Sequence, residues 1–129
     1  MRLDINTLLN ANNALGVLNN TRGMKAVVAY RISKMLKPIA KELKEYEEQR
    51  KRLCDEYANK DEHNNPIIVD NRYDVSEDNL KIIDEELENL RKETVEIDIT
   101  KVSLEDIEPA KLSPAQLESI EFILNIEEE

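Results

Sequence analysis

Glycine is scarce, with two in 129 residues. That excludes GxGxxG and P-loop phosphate cradles, which need closely spaced glycines for tight turns and close backbone approach. One cysteine and one histidine exclude a disulfide framework and a four-ligand Cys/His zinc site. Tryptophan is absent, and the aromatics are one Phe and four Tyr, so the core must be aliphatic. No apolar run approaches the roughly 18 residues that would suggest a membrane span. No apolar signal segment follows Met1, which predicts a cytoplasmic protein. What is present suffices for a fold. Leu, Ile, Val and Phe supply 36 of the 129 residues, above the roughly one-fifth below which a charged chain tends to stay disordered. The length predicts a single domain over 1–129.

Charge is distributed unevenly. The net charge is −10, yet residues 1–53 carry 11 basic and 5 acidic side chains. Residues 76–129 carry 5 and 17. From Leu3 to Lys41 the one acid is Asp4, against Arg22, Lys25, Arg31, Lys34, Lys37 and Lys41. Such asymmetry ordinarily reflects solvated faces that meet within one fold or between copies. Its functional alternative is an anion site on the basic stretch, or an acidic surface that competes with nucleic acid for a basic protein.

The pattern predicts a mainly α fold with a small β element. Ile5, Leu8, Leu9, Leu15 and Leu18 recur at helical spacing over 5–18, with Asp4 placed to cap. Thr21 is the expected cap of a long helix over 22–60. Ile32, Ile39, Tyr46 and Leu53 share one heptad position of that helix, and Leu36, Leu43, Arg50 and Tyr57 the paired one. Pro38 should kink it. Arg50, on the apolar seam, should pair with a Glu of a facing helix or snorkel outward. Residues 63–75 read as a β-hairpin, with Asp70-Asn71 able to form a two-residue turn. Ser76 should cap a helix over 77–94 with Leu80, Ile83, Leu87 and Leu90 as its stripe, and Val75 stapled to Leu80. Val95, Ile97 and Ile99 alternate as a strand. Ser113, Pro114 and Gln116 form a capping box for a final helix over 114–125.

The lengths predict a helical base from 1–41 and 110–129. The arm over 42–94 pairs the long helix with the shorter antiparallel one and carries the hairpin at its tip, and 95–109 supplies a strand and turn. The apolar arc over 26–39 is wide enough to need two partners, either the two terminal helices or a second subunit. It therefore predicts a homo-oligomer.

Candidate chemistry is sparse. Cys54 and His63 could form a nucleophilic pair only in contact, and a surface thiol is the simpler expectation. Asn59, Asp61 and Asp70 fall at positions 1, 3 and 12 of a calcium-loop frame that lacks its Gly and Glu, so a polar turn accounts for them better. No metal or cofactor is expected, and no enzyme. Two charged clusters remain. Asp84, Glu85 and Glu88 gather on one helix and could meet a basic protein surface. Arg31, Lys34, Lys37 and Lys41 lie along the long helix and could hold a small anion or an acidic partner. The acidic remainder of the chain argues against direct nucleic-acid binding.

The run from Lys25 through Ala26, Val27, Val28, Ala29, Tyr30 and Arg31 to Lys34 resembles an uncharacterised family of small phage and prophage proteins of Gram-positive bacteria. So do Glu42-Leu43, Tyr46 to Arg50, Leu53 and Tyr57, and downstream Tyr73, Glu86-Leu87, Val95-Glu96-Ile97 and Leu112-Ser113-Pro114. Relatives usually carry a Gly in the hairpin turn, where Asn64-Asn65 stands here. The resemblance implies a phage accessory protein in the host cytoplasm, with a host or phage protein as partner. Such a protein would antagonise a host defence factor, in an anti-CRISPR-like or ligand-sequestering manner, or serve as a structural or chaperone-like assembly factor through its coiled-coil arm.

Overall fold

A computed structural model describes residues 1–125. The chain is mainly α-helical with short strands. In order, these are β1 (Arg2–Asp4), α1 (Ile5–Asn20), α2 (Ala26–Tyr57), β2 (Ile68–Val69), β3 (Arg72–Tyr73) and α3 (Glu77–Arg91). There follow β4 (Thr94–Glu96), β5 (Val102–Ser103), a 3-10 turn at Glu108–Ala110, α4 (Pro114–Ser119), a second at Glu121–Ile123, and β6 (Leu124–Asn125). No helix among the described residues is long and apolar enough to cross a membrane. Contacts divide the chain into two compact units. One holds Met1–Leu43 and the described chain from Thr94 onward; the other is Lys44–Glu93. Helix α2 contributes to both.

The first unit is built on α1 and the proximal part of α2. Asp4 Oδ1 accepts from the Thr7 amide at 2.7 Å, capping α1 as its sequence predicts. Ile5, Leu8, Ala11, Ala14, Leu15 and Leu18 are its buried stripe. Thr21 closes α1 rather than opening α2, its amide donating to Leu18 O at 3.2 Å and its hydroxyl to Val17 O at 2.6 Å. The reason is Gly23, which has φ +91°, a left-handed conformation no helix accommodates. The next helix therefore starts at Ala26. Val28, Ile32, Met35 and Ile39 are its buried face in this unit, and the helix continues unbroken through Pro38.

Strand β1 was not legible as a strand. It pairs antiparallel with β4, Leu3 opposite Val95, and the Ile97 amide adds a bond to Met1 O at 2.9 Å. The predicted strand thus pairs only at its start, and Asp98 to Thr100 continue without a partner strand. The capping box forms, Gln116 N to Ser113 Oγ at 3.2 Å and Ser113 N to Gln116 Oε1 at 2.9 Å. The helix it starts stops at Ser119, not at 125. Ile120 leaves helical geometry at φ −117°, ψ 20°, and β6 pairs parallel with β5, Leu124 opposite Val102. The exchange replaces helical bonds with sheet bonds while Ile120, Ile123 and Leu124 stay buried. Residues 126–129 of the expected helix-and-tail segment lie outside the described residues.

In the second unit Cys54, Ile83 and Leu87 form the buried core, with Tyr46, Leu53, Tyr57, Tyr73, Val75 and Leu90 packed on it. Cys54 is therefore a core residue at 9% exposure, not the surface thiol expected, because the α2 stripe here includes the position after Leu53. The hairpin pairs Ile68 with Tyr73 and Val69 with Arg72. Asp70 and Asn71 turn it with φ of 52° and 64°, the signature of a type I′ turn. Asp61 Oδ1 accepts from the His63 and Asn65 amides, each at 2.9 Å, so this carboxylate organises a turn. Ser76 Oγ caps α3 through the Asn79 amide at 3.3 Å. Leu80 remains 48% exposed, and Val75 packs on the core. Arg50 pairs with Glu47 of its own helix, Nε lying 2.9 Å from Oε2. That i, i+3 contact supplants the expected partner on a facing helix, because the exposed guanidinium finds a carboxylate one turn away.

Candidate functional site

All seven candidate charged residues stand exposed, on two different helices. Asp84, Glu85 and Glu88 lie on α3 away from Ile83 and Leu87. At 100° per residue they share their face with Lys81 and Lys92, and Glu88 meets Lys92 at 3.7 Å. Glu77 falls on the same face, which is therefore predominantly acidic, with Glu88 the one carboxylate of the cluster paired to a lysine among the described residues.

The α2 cluster differs. Lys34, Lys37 and Lys41 follow each other at i+3 and i+4 along the outer face, opposite buried Val28, Ile32, Met35 and Ile39. Arg31 stands to one flank. Among the described residues no carboxylate lies within salt-bridge distance of any of these four. Large apolar side chains accompany them: Tyr30 is 66% exposed and Val27 53%. The Lys34 ammonium sits 6.0 Å from the Tyr30 ring centroid, at the outer limit of a cation–π contact.

Two clefts flank this face within the first unit. One, of about 540 Å³, is lined by Tyr30, Arg31 and Lys34, by Val27, Met35 and Pro38, and across from them by Asp98, Ile99 and Thr100. Lys37 instead borders the other, about 360 Å³, with Leu15, Gly16, Leu36, Ile39 and Leu43. The structure therefore brings Arg31 and Lys34 together over one cleft and turns Lys37 toward the opposite side. Lys41 lines neither. Sequence reasoning missed Asp98, Ile99 and Thr100. They are distant from α2 along the chain, and the one available signal, Ile99 extending the Val95/Ile97 alternation, reads equally as a paired strand.

Two features exclude the remaining candidate chemistry from this site. His63 is an exposed turn residue beside Glu62, whereas Cys54 is packed among Ile83 and Leu87. The Asp55 carboxylate raises the Tyr73 phenol above its ordinary value. No cluster of His, Cys, Asp or Glu suited to a metal occurs among the described residues.

No family model, curated protein or solved structure matches the chain.

Proposed function

We propose that the protein acts without catalysis, by stoichiometric binding of another protein through the basic, aromatic-bearing face of α2. The observation that carries this reading is the exposed set Val27, Tyr30, Arg31 and Lys34, one contiguous surface with large apolar and guanidinium groups. Tyr and Arg dominate binding hot spots because each combines a sizeable, rigid contact area with directional hydrogen bonding. A single sign of charge on Arg31, Lys34, Lys37 and Lys41 selects an acidic partner surface and speeds encounter with it. The predominantly acidic α3 contains no aromatic side chain to serve as such an anchor. The resemblance to small phage proteins supports a phage accessory role, with a host defence factor as the antagonised partner.

The test is formation of a defined complex. Tagged protein recovered from infected host lysate should carry one partner in fixed stoichiometry by sedimentation and quantitative mass spectrometry. The complex should weaken as salt rises from about 0.05 to 0.5 M, because surface charge is screened. Recovery of the chain alone, or a complex insensitive to salt, contradicts the reading.

A further inference from the structure

The cleft beside Arg31 has an unusual opposite wall. Asp98, Ile99 and Thr100 run between β4 and β5, and among the described residues their amides and carbonyls make no backbone hydrogen bond. Asp98 and Thr100 are exposed and Ile99 is half-buried, the alternation of an extended strand with one side turned inward. Facing them, α2 presents Pro38, which has no amide to donate to the Lys34 carbonyl one turn back. The cleft thus combines a wall of backbone without hydrogen-bonded partners at 98–100, an apolar lining of Val27, Met35, Pro38 and Ile99, and two cations.

We propose that this cleft binds an extended acidic segment of the partner protein, which pairs as a strand with residues 98–100 and directs its carboxylates to Arg31 and Lys34. The inference rests on the reading of α2's basic face as the docking surface, and specifies what that face takes. A strand places alternate side chains on opposite sides. One set reaches the apolar lining while backbone bonds form to the 98–100 edge, a division of labour between affinity and specificity typical of strand addition. Charge complementarity selects the occupant: the carboxylates belong on the Arg31/Lys34 side, away from Asp98, which would repel them. A small free anion could use the two cations but would leave both the strand edge and the apolar lining unused.

The experiment is selection of a random octapeptide library on the immobilised full-length chain, followed by synthesis of the enriched peptides. These should alternate Asp or Glu with Ile, Val or Leu. They should bind at least about tenfold more weakly to the folded R31Q/K34Q variant, as expected for lost charge pairs, and within about twofold of wild type to K44Q/K51Q, two exposed lysines that do not line the cleft. N-methylation of alternate peptide amides should cost about tenfold, the scale of one lost hydrogen bond. Amide exchange at Ile99 and Thr100 should slow in the complex. Enrichment of acidic peptides that require Lys37 and Lys41, with no protection at Ile99, overturns the groove and leaves the basic face standing. Equal binding of N-methylated peptides, or full displacement by millimolar citrate, also overturns strand pairing. Enrichment of non-acidic sequences, or no enrichment, overturns both readings.

Discussion

Single residues carry distinct burdens in this chain. Lys60 sends its ammonium to the Asp55 and Ala58 carbonyls, the latter at 2.7 Å, where α2 ends and leaves acceptors unpaired. Substituting Lys60→Met should destabilise by about 1 kcal/mol, the usual worth of a charge-assisted contact at a helix C-terminus, measurable as a lower denaturant midpoint. Arg50→Leu should be nearly neutral, because its pair with Glu47 is half exposed and such pairs contribute about 0–1 kcal/mol. Ile32→Ala, at 1% exposure, should cost about 2–5 kcal/mol from lost burial and the cavity left behind.

Asp4 adds a pH dependence. The Thr7 hydroxyl and then its amide hold the Asp4 carboxyl below its ordinary value of 3.8. The cap's stability is therefore full above that value and is lost as pH falls through the lower folded one. Asp4→Asn retains capping ability but removes the titration. Its thermal midpoint should decline less than that of the wild type between pH 5 and about pH 2–3, and an identical decline contradicts the assignment.

At the scale of elements, local chemistry decided what could be read from the sequence. Caps at Asp4, Ser76 and Ser113 were legible because each places a short oxygen acceptor directly before an apolar period. The Asp70-Asn71 turn was legible because such residues tolerate positive φ. The misread boundaries all depend on partners remote in sequence. β1 exists because β4 is beside it, and α4 ends where β5 offers a pairing edge. Gly23 was visible as a residue but not as a left-handed one; only the exit from α1 imposes that. The same physics predicts that Asn71→Gly leaves stability equal or raises it, while Asn71→Val lowers it, since a β-branched residue resists φ of 64°. Equal midpoints for the two variants in thermal unfolding contradict the turn assignment.

At the scale of the whole molecule, the candidate site was half legible. Arg31, Lys34, Lys37 and Lys41 stand out in the sequence as a one-signed run on a helix. The placement of Arg31 and Lys34 on one cleft and Lys37 on another does not, because it depends on which flank α1 and residues 98–100 occupy. The apolar arc over 26–39 resolves into a buried row and an exposed remainder of Ala26, Val27, Ala29 and Tyr30. Val27 and Tyr30 of that remainder belong to the proposed docking face, whereas Ile68, Val69 and Leu80, exposed elsewhere, sustain the expectation that the protein self-associates. Sedimentation at micromolar concentration should give a mass above 15.0 kDa, and a value equal to it contradicts self-association.

The central claim is that α2, rather than α3, is the binding face. Its most direct test compares two folded variants for retention of the partner captured from infected lysate. One is R31Q/K34Q/K37Q/K41Q; the other is D84N/E85Q/E88Q. Circular dichroism confirms that both retain native helix content. The account predicts loss of at least about tenfold in bound partner for the first, since several one-signed charges are removed from a steering surface, and near wild-type retention for the second. Retention by the first variant, or loss confined to the second, contradicts it.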